Sequence, residues 1–247
     1  MPISFYIPKR LQIRMNIMFQ QDKMYVQCLD TSLILILEIE LPNTWFDVYE
    51  LVNETSVTVG VQSLIWSKVL TMRDKSQTIY ICTDDEEDKL LISFQTTSDN
   101  KGKVFDKHFE IPLLDIDSDI MNIPSMEYQA EFSLLSATFA NMISQLKQFG
   151  DTIDIECSEE AIKMVSQSVE NGKMNANMPI DGLNEYSIEE NKVVRSCFSL
   201  KHLHNICQYH KIANSVQLYL SENYPIKIKY EIEGNGHIVF YLAPREE

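Results

Sequence analysis

A short amphipathic segment followed by two alternating runs recurs three times along this chain, and such a recurrence restricts the fold to architectures built from copies of one unit. The amphipathic members are "SLIWSKVLTMR" (63–73), "SATFANMISQLKQF" (136–149) and "SLKHLHNICQYHKI" (199–212). Their apolar residues fall at helical spacing: Ile65, Val69 and Met72; Phe139, Met142, Ile143 and Leu146; Leu203, Ile206 and Cys207. Each opens on a serine, a favoured helix N-cap. The runs that follow them, "TIYICTDDEEDKLLISFQ", "TIDIECSEEAIKMVSQS" and "SVQLYLSENYPIKIKYEI", alternate as half-buried strands do and reverse at polar turns. A fourth hairpin stands near the start, where Ile13, Met15, Ile17 and Phe19 alternate, "QQDK" turns and "MYVQCLD" returns. Its helix is missing: the ten or so residues ahead of it, with prolines at 2 and 8, are too few for a strand and a helix.

Further alternating stretches at 33–39, 56–61, 104–111, 127–132, 172–178 and 193–198 make strands outnumber helices. The acidic, aperiodic stretch "LLDIDSDIMNIPSMEY" reads as a linker between two similar halves. The expected architecture is α+β, with a domain at 1–112, a connector at 113–128, a second domain at 129–247, and the helices collected on one face.

At 247 residues with 45% hydrophobic and 23% charged content, the chain can bury a sizeable core. "LILIL" at 33–37 runs straight into Glu38, far short of a membrane span of about 20 residues. The start lacks a secretory pattern, and five scattered cysteines without a CxxC pair suit a reducing compartment, so a cytosolic or nuclear protein is expected.

The net charge of −15 ordinarily disfavours a polyanionic partner. The acids are unevenly placed, however. About six Asp or Glu are expected in roughly 39 helical residues, and the three segments contain none. Their non-core positions are Ser67, Lys68, Thr71 and Arg73; Asn141, Ser144, Gln145, Lys147 and Gln148; Lys201, His202, His204, Gln208 and Lys211. Faces that point one way would form a weakly basic surface on an anionic body.

Little else suggests chemistry. "TDDEEDK" (83–89) lacks the ligand spacing and glycine of a calcium loop and reads as a solvated hairpin tip. In "HLHNIC", His202 and His204 diverge on a helix, and no second pair of zinc ligands waits elsewhere. There is no P-loop, no defensible Ser-His-Asp spacing and no glycine-rich phosphate loop. A binding protein without metal or cofactor is expected rather than an enzyme.

The chain's ending, "GHIVFYLAPREE", resembles the C-terminus of eukaryotic-type sliding clamps of the proliferating cell nuclear antigen (PCNA) family, where Tyr-Leu-Ala-Pro lies beside a partner-peptide site. Three other stretches agree in order and spacing: "QCLDTSLILILEIELPNTWFDVYE" (27–50), "DIDSDIMNIPSMEY" and "FGDTIDIECSEEAIKM" (149–164). The resemblance covers nearly the whole chain from about residue 11.

It implies two similar domains, closed by subunits, as a homotrimer in the family's manner, into a ring around double-stranded DNA held without sequence readout. It also implies a nuclear polymerase processivity factor, or one at a cytoplasmic replication site if viral. The DNA-facing residues would be Lys68, Arg73, Lys75, Lys147, Lys201 and Lys211, with the helix histidines in reserve. The partner-peptide pocket would be Leu29, Ile36, Ile123, Pro225 and Tyr241, with backbone carbonyls of Ala243 and Pro244. Phe109 would meet Lys173, Met174 and Asn175 of the next subunit. Replicative polymerase, clamp loader, flap nuclease and ligase are the implied partners, through PCNA-interacting peptides. The alternatives are a subunit of a heteromeric checkpoint-type clamp or a non-ring viral-type processivity factor. Departures are the shortened start, Asn141, Ser144 and Gln148 where the family usually has basic residues, and Glu159 where relatives carry a modified lysine.

Overall fold

Alternation decides the strands and the strand ends decide the helices. The computed structural model describes residues 14–52, 56–84, 87–96, 104–116 and 121–245. The shortened start, the hairpin tip at 85–86 and connector residues 117–120 lie outside them. The first group of strands is β1 (Arg14–Phe19), β2 (Lys23–Leu29), β3 (Leu35–Pro42) and β4 (Val57–Gln62). In β3 every second residue, Leu35, Leu37, Ile39 and Leu41, is buried. Helix α1 (Ser63–Leu70) follows, then β5 (Gln77–Asp84), β6 (Glu87–Thr96) and β7 (Lys107–Pro112). The second half comprises β8 (Ala130–Leu135), α2 (Ser136–Leu146), β9 (Thr152–Cys157), β10 (Ala161–Ser168), β11 (Gly172–Pro179), β12 (Glu185–Ile188), β13 (Val194–Ser199), α3 (Leu200–Ile206), β14 (Ser215–Leu220), β15 (Ile226–Ile232) and β16 (Gly236–Leu242).

Among the described residues three antiparallel sheets result. The largest runs β12-β8-β14-β15-β16-β3-β2-β1-β4, the second β11-β10-β9-β13, the third β5-β6-β7. The repeat is larger than the helix-plus-hairpin read from sequence: one strand leads into each helix and three, not two, complete the unit after it, with the short β12 added after the unit of α2. The run β3-β2-β1-β4 recurs as β11-β10-β9-β13, and β14-β15-β16 recurs as β5-β6-β7. β3 and β11 correspond residue for residue, each ending in proline (Pro42, Pro179) and each followed by a single 3-10 turn, Asn43–Trp45 and Ile180–Gly182.

The helices are shorter than their apolar spacing suggests. Helix α1 stops at Leu70 and buries Trp66, Val69 and Leu70, while Met72, expected on its apolar face, is 42% exposed beyond its end; Ser67, expected on the polar face, is buried. After α3 the chain tightens into a 3-10 helix, Cys207–Lys211. Of the three serines only Ser199 stands at a helix cap, and its side chain makes no cap bond. Ser63 and Ser136 are the first helical residues, Gln62 and Leu135 occupy the cap, and none of the three helices has a side-chain cap bond. The reason is geometric: each strand runs straight into its helix, and for α2 and α3 a neighbouring loop receives the first amide. Ser136 N donates to Asn214 O and Leu200 N to Asp151 O, both at 2.9 Å.

Two polar devices fix turns. The β15–β16 hairpin turns on Gly234 and Asn235 at φ +82° and +63°, the left-handed region that glycine and asparagine tolerate. In the β2–β3 turn Leu33 takes φ +60°, costly for leucine. Asp30, 4% exposed, holds it there by accepting from Ile34 N (3.0 Å), Leu35 N (2.9 Å) and the Ser32 hydroxyl.

Candidate functional site

Strand register brings together residues far apart in sequence. On the outer face of the nine-stranded sheet, Tyr219 of β14 pairs with Lys227 of β15, Lys227 with Tyr241 of β16, Tyr241 with Ile36 of β3, and Ile36 with Leu29 of β2. Tyr241 stands between buried Phe240 and Leu242, and Ile36 between buried Leu35 and Leu37, so alternation turns both outward. Leu29, Ile36 and Tyr241, expected in one pocket, are therefore consecutive members of one cross-strand row.

The connector is pinned over this face by Gln27, two residues before Leu29. Its Nε2 donates to Met121 O (2.9 Å) and its Oε1 accepts from Met121 N (2.8 Å). The same Nε2 reaches Glu38 Oε1 at 3.1 Å, and the Tyr25 hydroxyl donates to that carboxylate. Ile123, half-buried, follows the pinned residue by two positions. Burial, then the Glu38 charge, pushes the Tyr241 hydroxyl well above its ordinary pKa, so it is a neutral donor at physiological pH. Ala243 N donates to Ile34 O (2.9 Å) and Arg245 N to Cys197 O (2.8 Å), which ties the Ala-Pro tail down. Pro225 is exposed directly before β15. Sequence reading missed Gln27, Glu38, Lys227 and Tyr219; two-residue spacing from Leu29 and Ile36 was the signal for the first two.

The basic candidates lie on the helices and their ends. Lys68, Lys75, Lys147, Lys201 and Lys211 are exposed. Arg73 is half-buried, burial lowers its pKa, and its Nε donates to Gln77 O at 2.7 Å, so it braces the turn after α1. Helices α2 and α3 sit side by side with Phe139, Ile143, Leu146, Leu203 and Ile206 buried, leaving Asn141, Ser144, Gln145 and Gln148 exposed. His202 is engaged: its Nδ1 lies 2.9 Å from Ser199 Oγ, and its Nε2 lies 3.4 Å from Ser32 Oγ and 3.6 Å from Asp30. It joins α3 to the β2–β3 turn and is a poor phosphate reserve.

Phe109 and Met174 are half-buried on the core side of β7 and β11, with the Phe109 ring 5.3 Å from that of Phe94; Lys173 and Asn175 are exposed on the opposite face. β7 and β11 each end a sheet, so among the described residues their outer backbone groups have no ladder partner within it.

Two halves of antiparallel sheet built from one repeat, joined by a connector pinned across the outer face, form the fold of the sliding clamps. Residues 9–120 match the family described as proliferating cell nuclear antigen, N-terminal domain, and residues 122–245 match its C-terminal domain. The chain is also 29% identical over 220 residues to proliferating cell nuclear antigen 2 of Drosophila melanogaster, covering 89% of this chain and 84% of that protein. It belongs to the proliferating cell nuclear antigen family.

Proposed function

We propose that copies of this chain join head to tail into a three-membered ring around duplex DNA, and that the ring holds replication and repair proteins through peptides seated beneath the connector. The observation that carries this reading is the internal repeat. Within the chain β16 pairs with β3, joining the two halves of the large sheet. Their counterparts β7 and β11 both end a sheet, so the junction made once inside the chain can be made again between copies.

The repeat also supplies a register. Phe109 takes the place of Phe240, whose partner Leu37 corresponds to Met174. Carrying the internal pairing over sets Phe109 opposite Met174, Glu110 opposite Lys173 and His108 opposite Asn175. That is an apolar contact on the core side and an opposite-charge pair on the outer side, the arrangement that stabilises antiparallel neighbours.

The acid-free helix faces, with Lys68, Lys201 and Lys211 exposed, suit loose contact with phosphates, while the remaining acidic body discourages tight binding. A clamp that slides needs that balance. The nucleus is the compartment, and polymerase, clamp loader, flap nuclease and ligase are the client types. Light scattering at micromolar concentration tests the ring: a mass three times that of the chain is expected, and a monomer overturns it.

A further inference from the structure

Strand β15 carries two lysines on its outer face, and only one of them is paired. Lys229 Nζ donates to Glu231 Oε1 at 2.8 Å. Lys227, two residues earlier, forms no ion pair and donates no side-chain hydrogen bond among the described residues. Its ammonium lies instead over the Tyr219 ring, 4.8 Å from the centroid. Alternation fixes its direction: Ile226 and Ile228 on either side are buried, so Lys227 faces outward.

Its neighbours place it in the floor of the groove rather than on the rim. Lys227 pairs with Tyr241 on one side and with Tyr219 on the other, and Pro225 precedes it by two residues. The side chain is half-buried, and burial, then Lys229, lowers the pKa of its ammonium against an opposing pull from Glu131 and Glu38. Neither carboxylate pairs with it. Glu38 is engaged by the Tyr25 hydroxyl and by Gln27 Nε2, and Glu131 stands on β8, beyond Tyr219.

We propose that Lys227 selects among client peptides by pairing with a carboxylate, an aspartate or glutamate carried inside the plug itself. The inference rests on the groove reading above. Two observations choose an anionic occupant. A half-buried ammonium without an acceptor gains most from a carboxylate, since a charge-assisted hydrogen bond is roughly twice as strong as a neutral one. The row from Tyr219 to Leu29 also holds no acid that would compete for it. Geometry limits the position: neighbouring strands lie about 4.8 Å apart, so the carboxylate falls about one or two residues from the side chain that meets Tyr241. A cation at that position of the peptide would be repelled, which makes the same lysine a filter.

Calorimetry with a set of plug peptides tests it. The parent carries only uncharged residues between its anchors, and the others carry aspartate, asparagine or lysine at one of those positions in turn. At one position, or two adjacent ones, aspartate is expected to bind about three- to tenfold tighter than asparagine, and lysine more weakly than either. In Lys227→Met, which keeps an apolar stem, aspartate and asparagine peptides should bind alike; in Lys227→Glu the preference should pass to lysine. Each variant is read as a ratio between peptides, so a uniform change in affinity does not mimic the result. No aspartate preference in the wild type, one spread equally over every position, or one that survives Lys227→Met overturns the role of Lys227 and leaves the groove standing. Loss of binding to every peptide in both variants also overturns it, by making Lys227 an anchor rather than a selector. Failure of the parent peptide to bind the wild type overturns the groove reading and this inference together.

Discussion

At the scale of single residues, Asp30 and Gln27 hold the site by different means. Burial alone raises the Asp30 carboxyl, but donors from Ser32, Leu35 and Ile34 outweigh it and keep the group below the usual carboxylate range. A carboxyl depressed in the folded state contributes its stability at neutral pH and loses it as pH falls through the folded value. Asp30→Asn should therefore cost about 1–2 kcal/mol at pH 7 by urea unfolding, and the difference from wild type should shrink by about pH 3. A difference independent of pH would refute the ionic account. Gln27 acts on the connector instead. Gln27→Ala should weaken a plug peptide about tenfold by freeing Met121, with little change in unfolding midpoint, whereas Tyr241→Ala and Ile123→Ala should abolish calorimetric binding. Equal affinity in all three folded variants would remove the groove.

Elements matter most where a sheet ends. β7 and β11 present edges, and an exposed edge is a liability unless something covers it. Phe109→Ala should shift the assembly toward monomer in light scattering, but Phe109 also packs on Phe94, so that variant mixes assembly with folding. The charge pair separates them. Glu110 is exposed and already bonds Lys89 across β6 and β7 at 2.9 Å, and Lys173 is exposed, so neither is needed for the core. Glu110→Lys should weaken assembly several-fold by setting like charges opposite each other, and adding Lys173→Glu should restore it. Absence of rescue would refute the register carried over from β16 and β3. The helices show a second effect at this scale: each is cut short because it must enter from one strand and return to another.

For the whole molecule the question is how an acidic protein handles DNA. A net charge of −15 spread evenly would repel phosphates; confined away from three helix faces, it leaves those faces usable. Binding to linear duplex should be weak and fall steeply with salt, and reversing Lys68 and Lys201 to glutamate together should reduce both the affinity and its salt slope. Unchanged binding and unchanged polymerase processivity would show that these faces do not line the channel.

Local pattern was enough to read the helix and hairpin of each repeat from sequence, though not the third strand that completes it, since apolar periodicity reflects which side of an element is buried. The six alternating stretches at 33–39, 56–61, 104–111, 127–132, 172–178 and 193–198 correspond to β3, β4, β7, β8, β11 and β13. The short strand β12 was missed because its four residues are too few for a period to register. Leu29, Ile36 and Tyr241 were legible as a group only through resemblance. Their adjacency depends on β16 pairing with β3, a contact between segments some two hundred residues apart that no local spacing encodes. The same holds for Gln27 reaching Met121 and for His202 meeting Asp30. Alternation says which face a side chain takes, but the choice of neighbouring strand is made by the closing of the sheets, and that choice builds the site.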